Sequence, residues 1–210
     1  MTVDETTKVQ NAERRMQILE GALKVFSTKG FHKATNKDIA AAAGGISPGL
    51  IYWYFKDKED LFVSLLYERV NLLQLIDHSN EIMALPPREA LLLVGDTYLG
   101  VFRSPQHVAL FRIILGEISR FPQIGDMFYK LLVSKLFKLL NGYLQHQIVL
   151  GVFRPHDTAT ATRSFVGMFV IQVLAREFLH QPEALATGDD LILETVVEIF
   201  VRGLEASGQS

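Results

Sequence analysis

Apolar residues return every three to four positions along this 210-residue chain, and no stretch shows the strict alternation with polar residues that marks a half-buried strand. A chain patterned this way packs helix on helix. Its glycines and prolines then decide where each helix stops. Ile18, Leu19, Ala22, Leu23, Val25 and Phe26 trace the buried face of a first helix over about 12–29, closed at Gly30, where a left-handed residue is easily taken. Thr35 can cap a second helix, with Asp38 three residues on in the reciprocal position of a capping box and Ile39 to Ala43 on the buried face. Gly44 and Gly45 break that helix. Ser47 as N-cap and Pro48 at the first helical position start a third, which runs through Tyr54. Asp57 caps a fourth, with Glu59 and Asp60 at its positive end and a stripe of Leu61, Leu65, Leu66, Leu72, Leu73 and Ile76. Pro86-Pro87, Ser104-Pro105, Phe121-Pro122, Gly151 with Pro155, and Pro182 with Gly188 then punctuate five more helices, at about 87–103, 105–119, 123–150, 157–180 and 189–206. The expectation is an all-α fold of about nine helices, with a small head over 1–57 and a larger helical domain over 58–210.

Composition narrows the function. Hydrophobic residues at 49% and charged residues at 21% supply a packed core, and charges or glycines interrupt the apolar runs short of a bilayer span. The first residues, with Asp4, Glu5, Lys8, Glu13, Arg14 and Arg15, lack the apolar core of a secretory signal, so a cytoplasmic protein that crosses no membrane is expected. There is no cysteine, which excludes disulfides, thiol catalysis and thiolate metal sites. The formal charge of −2 conceals a polarity: Lys8 to Lys58 holds nine bases against four acids, and acids exceed bases from Glu59 onward. Only the head has the electrostatic footprint that phosphate binding needs.

Two short helices joined by a glycine turn in a basic surround form a helix-turn-helix, whose second helix can enter the major groove of DNA. A plain helical hairpin shares that geometry, and the residues go further. Ile18-Leu19-Glu20-Gly21-Ala22-Leu23-Lys24-Val25-Phe26, Lys29-Gly30-Phe31, Thr35, Asp38-Ile39-Ala40, Ala43-Gly44, Ser47, Gly49, Ile51-Tyr52-Trp53-Tyr54-Phe55 and Lys58-Glu59-Asp60-Leu61 together resemble the head of the TetR/AcrR family of transcriptional regulators. The resemblance runs from about 16 to 66, and the rest of the chain is similar only in the number and arrangement of helices. One departure is the turn, where Gly44-Gly45-Ile46 has one residue more than the family pattern and puts the register of base contacts in question.

The resemblance implies DNA-binding roles for Thr35, Lys37, Ser47, Pro48, Gly49, Tyr52, Trp53 and Lys58. Thr35 and Lys37 would meet phosphates, although capping alone accounts for Thr35. Ser47, Pro48 and Gly49 are small enough to let the recognition helix lie deep in the groove. Ile51 and Phe55 are assigned to the core and Tyr52 outward, while Trp53 fits either side. Lys58 opposes the dipole of the fourth helix, a local cost that a phosphate contact would reverse.

The larger domain carries more aromatic surface than the head needs, most of it for packing. The resemblance further implies an effector cavity, and the candidate lining residues are Phe102, Arg103, Phe111, Arg112, Phe128, Phe137, Phe165, Phe169 and Gln172, suited to an apolar or amphipathic small molecule. It also implies a homodimer joined through the last two long helices, with Phe165, Met168, Leu193, Val196, Val197 and Phe200 at the interface. The expected function is a repressor that binds a palindromic operator in double-stranded DNA and is released by its effector. A regulator without an effector, or an activator, is the alternative. A helical lipid-binding protein or an enzyme is more remote: there is no phosphate-binding glycine loop, no His-Glu-x-x-His pair and no nucleophile elbow, and the histidines at 32, 78, 107, 146, 156 and 180 lack metal-ligand spacing. No metal or cofactor is expected.

Overall fold

The computed structural model describes residues 3–69, 79–119 and 122–206. The helices are α1 (Val3–Lys33), α2 (Asn36–Ala42), α3 (Pro48–Tyr54), α4 (Lys58–Arg69), α5 (Ser79–Ala84), α6 (Pro87–Val101), α7 (Pro105–Ile118), α8 (Pro122–Phe128), α9 (Ser134–Val149), α10 (Thr158–Val173), α11 (Pro182–Ala186) and α12 (Asp189–Leu204). Every helix expected from periodicity is present. Two short ones, α5 and α11, are additional. The π-helical stretch Tyr129–Val133 runs directly from α8 into α9, and a second, Leu174–Phe178, extends α10, so the two longest expected helices each contain one wide turn. Among the described residues the only extended pairing is an isolated antiparallel bridge between Phe153 and Glu205. Leu72, Leu73 and Ile76 of the expected fourth-helix stripe, His78 and Phe121 lie outside the described residues.

The first helix starts at Val3 rather than near 12, while Gly30, with φ 78 and ψ 160, interrupts it where the sequence marks its end. The chain falls into two compact units, one of residues 1–70 with 109–128 and the other of residues 71–108 with 129–210. The core of the first is built from Ile18, Leu19, Ala22 and Phe26 of α1, Ile39 and Ala40 of α2, Ile51 of α3, Phe55, and Leu61, Phe62 and Leu65 of α4. Leu110, Ile113 and Ile114 of α7 belong to the same core. Phe26, Phe31 and Phe62 form a ring trio with centroids 5.1 to 5.6 Å apart. Phe111 meets Phe128 edge to face at 5.5 Å beside them.

In the second unit α6 packs against both α10 and α12, which also touch each other. Gly95 permits the closeness: a Cβ there would lie 2.6 Å from Leu193 Cδ1 and 2.7 Å from Phe169 Cζ. A chain of rings runs through this core, Phe102 to Tyr98 at 5.5 Å, Tyr98 to Phe169 at 6.0 Å, Phe169 to Phe165 at 5.2 Å and Phe165 to Phe200 at 4.9 Å. Burial pushes the Tyr98 phenol well above its ordinary pKa. Arg103 bridges Asp96 and Asp189, each at 2.8 Å, and joins the end of α6 to the start of α12. The Phe153 bridge ties the α9–α10 connection to the end of α12, where the Arg154 guanidinium donates to Gly203 O. By length and composition, the run Thr158–Phe178 is apolar enough to cross a membrane, which the sequence reading did not anticipate. As α10 it buries Thr162, Phe165, Phe169 and Val173 in the core of this unit.

Candidate nucleic-acid interface

The second helix begins as its sequence dictates. Thr35, extended at φ −111 and ψ 155, accepts from Asp38 N–H at 3.1 Å, and Asp38 accepts from Thr35 N–H at 3.2 Å. The Thr35 hydroxyl donates its proton to the same carboxylate at 2.8 Å, so in this arrangement the side chain is engaged as a cap. Lys29 reaches Asp38 from α1 at 2.6 Å. The bonds from Lys29 and then Thr35 hold the Asp38 carboxyl at about 2, below its ordinary 3.8. Lys37 is exposed beside this cap and, among the described residues, makes no ion pair.

Helix α2 crosses α1 at Gly21, where a Cβ would sit 2.8 Å from Ala43 N and 2.9 Å from Ala43 Cβ. No side chain fits there. The turn that follows absorbs the additional glycine, with Gly44 at φ 86 and Gly45 at φ 75, a conformation that residues bearing a Cβ rarely adopt. Gly45 N–H donates to Ala40 O at 3.1 Å and Ile46 N–H to the same oxygen at 3.1 Å, which closes the end of α2. Ile46 returns to the edge of the core.

Ser47 then stands at the N-cap position of α3 without a side-chain cap bond, and Pro48 occupies the first helical position. One face of α3 is inward at Ile51, and Phe55, which ends the helix, is inward too, each 2% exposed. Burial of two such side chains contributes about 1.5–3 kcal/mol each. The opposite face is open. Tyr52 is 62% and Trp53 87% exposed, and Ser47, Pro48 and Gly49 are exposed at the start of the helix. A large aromatic left almost wholly in water at the surface of a helix-turn-helix gains from a partner with flat apolar or phosphate-bearing surface.

Lys58, expected to meet a phosphate, also has partners within the chain. Its ammonium donates to His32 O and Ala34 O, each at 3.2 Å, and lies 4.7 Å from the centroid of the Phe31 ring. The carbonyls at the end of α1 thus supply the negative potential that the start of α4 lacks. Two contacts of the head were not legible in the sequence. Tyr54 donates its hydroxyl proton to Asn11 Oδ1 at 3.2 Å, and the Arg15 guanidinium lies 5.3 Å from the centroid of the Phe55 ring while pairing with Glu68. Neither Asn11 nor Arg15 stands out by spacing or residue type.

The candidate residues of the larger domain divide. Phe102, Phe165 and Phe169 belong to the ring chain of the second unit, whereas Phe128 lies against the core of the first and Phe111 meets its ring; Phe137 and Gln172 are half-buried, and Arg112 is exposed. Arg103 is committed to its two aspartates. Of the expected interface residues, Phe165 at 1%, Val196 at 5%, Val197 at 0% and Phe200 at 6% exposure are interior to the chain itself, and Met168 and Leu193 are half-buried. Here α10 and α12 pack on each other, Phe165 against Phe200 at 4.9 Å, and α6 lies against Leu193 and Phe169 at Gly95. The apolar side chains left outward on these helices are Ile171, Leu191 and Ile199, at 57%, 64% and 59%.

Comparison with known proteins agrees with this geometry. Residues 18–65 match the family described as bacterial regulatory proteins of the tetR family, and residues 89–203 match the C-terminal domain of AefR-like transcriptional repressors. The chain is 48% identical over 56 residues to the HTH-type transcriptional regulator AcrR of Shigella flexneri, covering 27% of this chain and 26% of that protein. It is 31% identical over 137 residues to the fatty acid metabolism regulator protein of Bacillus subtilis, covering 64% of each. These alignments therefore span between about a quarter and two thirds of the relatives' lengths. A transcriptional regulator from Pseudomonas aeruginosa PAO1 shares the fold with a TM-score of 0.76 at 21% identity, over 94% of this chain and 92% of that one. FadR from Bacillus subtilis, solved in complex with stearoyl-CoA, shares it with a TM-score of 0.67 at 22% identity, over 90% and 99%. With both its head and most of its larger domain matched, the chain belongs to the TetR family of helix-turn-helix transcriptional regulators.

Proposed function

We propose that this regulator is a repressor that binds a palindromic operator as a homodimer and is released by a small apolar or amphipathic effector. The exposed face of α3 carries the reading. Its outward Tyr52 and Trp53, its small first residues and exposed Lys37 nearby form a surface suited to a duplex groove and its phosphates. Thr35 and Lys58 would add phosphate contacts to the capping and carbonyl contacts they already make. In this reading residues 1–57 form the DNA-binding head and 58–210 the effector and dimerisation domain. The protein works in the cytoplasm, with its recognition helices about 34 Å apart in the dimer, one turn of DNA. Catalysis has no part in it.

The dimer rests on α10 and α12. Ile171, Leu191 and Ile199 remain exposed there, and only 22% of the most apolar window of the α10 run is buried within the chain. A second copy related by a two-fold axis would cover this surface. Leu191→Glu combined with Ile199→Glu is expected to give a monomer by light scattering at micromolar concentration with helix content retained. A dimer that survives both substitutions would place the interface elsewhere.

A fatty acyl thioester is the effector class best supported, because one relative is a fatty acid metabolism regulator and one structural neighbour holds stearoyl-CoA. An effector that favours a conformation unable to bind DNA must weaken DNA binding by the same coupling free energy, about 1–3 kcal/mol. The test is footprinting of DNA upstream of the gene with and without long-chain acyl-CoA. Protection of a palindrome that the ligand relieves is the expected result, and no protected site at low ionic strength would refute the proposal.

A further inference from the structure

The recognition helix is held by few contacts. It has seven residues, lacks a side-chain cap bond at Ser47 and follows two successive glycines at positive φ. Its fully buried anchors are Ile51, on the helix, and Phe55, the extended residue that ends it. With one fully buried side chain on the helix itself, and Ile46 and Tyr54 only partly buried at its ends, its roll depends on further contacts. Those contacts come from α1. Asn11 accepts the Tyr54 hydroxyl proton at 3.2 Å, and Arg15, one turn further on, covers the Phe55 ring and pairs with Glu68 of α4. Gln17 lies under the turn, its Nε2 2.6 Å from where a Cβ on Gly44 would be, and Arg14 orients it through a 2.8 Å bond to Oε1.

We propose that residues 11–17 of α1 act as a strut that sets the roll of α3, with Asn11 as the positioning residue that aims Tyr52 and Trp53 at the duplex. Tyr54 directly follows these two residues, so a roll that breaks its bond to Asn11 turns both away from their partners. The turn before α3 is tied to α2 through backbone bonds and has no side chain at Gly44 or Gly45, so the strut adds side-chain contacts that the turn lacks. This inference rests on the DNA-binding reading above and adds a determinant of sequence discrimination that touches no DNA.

The test uses the full-length protein and two probes: a duplex selected by the wild type from a random-sequence pool, and a scrambled duplex of equal length. Asn11→Ala and Tyr54→Phe are each expected to lower the ratio of selected to scrambled affinity about three- to tenfold, the range of one lost hydrogen bond. Affinity for the scrambled duplex and the salt dependence stay unchanged, since no charge is removed. The double variant is expected to be no worse than either single one. An unaltered ratio overturns the strut while leaving DNA binding intact, as does an equal loss on both duplexes with a lowered melting temperature. Failure of the wild type to select any sequence removes the DNA-binding reading and the strut with it.

Discussion

Replacing Gly21 by alanine tests the helix crossing on which the head depends. In an open helix the exchange stabilises by up to about 1 kcal/mol, because alanine loses less backbone entropy. At Gly21 the new Cβ would meet Ala43 N at 2.8 Å, Ala43 Cβ at 2.9 Å and Ala43 Cα at 3.0 Å, where ordinary contact begins at 3.4 Å. Two of those atoms are backbone, so no rotamer relieves the clash and α2 must move away by at least about 0.6 Å to restore contact distance. Overpacking of this kind costs about 1–3 kcal/mol. Gly142 supplies the control, since it lies exposed in α9 and a Cβ there meets nothing within 4 Å. Gly142→Ala is expected to stabilise by a few tenths to about 1 kcal/mol, and Gly21→Ala to fall about 1–3 kcal/mol below it. Urea unfolding followed by circular dichroism, at one protein concentration for all variants, measures the difference. Equal stabilisation by the two substitutions would refute the close crossing of α1 and α2.

Other outcomes follow from the same structure. Trp53 is the only tryptophan in the chain and is 87% exposed, so its fluorescence should be readily quenched by acrylamide and protected when DNA binds; unchanged quenching in the complex would place it off the duplex. Lys58→Ala should cost about 1 kcal/mol through its lost bonds to carbonyls, and should flatten the salt dependence of DNA binding by about one unit if the ammonium also neutralises a phosphate. An unchanged slope would leave Lys58 to α1 alone. The carboxyl of Asp38, held at about 2 against an ordinary 3.8, stabilises the cap above about pH 4, and that contribution is lost as pH falls through its folded value. Asp38→Asn should therefore flatten acid unfolding between about pH 4 and 2, and an identical acid profile would deny the cap that role.

The sequence by itself determined what is local. Thr35 and Asp38 are three residues apart and close their capping box without help from elsewhere, and Gly30, Gly44 and Gly45 mark turns because only glycine takes positive φ freely. The inward Ile51 and Phe55 and the outward Tyr52 follow from the family pattern once the third helix is placed. Tertiary structure decided the rest. Helices α10 and α12 are apolar on more than one side, and periodicity cannot say which side faces the chain's own core; the side of Phe165, Val196, Val197 and Phe200 turned inward, and Ile171, Leu191 and Ile199 stayed outward. Leu110, Ile113 and Ile114 join the head's core from far along the chain. The Asn11 and Arg15 contacts join polar residues 40 or more positions from Tyr54 and Phe55, and Lys58 turns to the carbonyls at the end of α1. Bonds that close within one helical turn are written in the order of the residues, whereas a choice between two equally apolar faces, or between two charged partners, depends on which distant helix packs there.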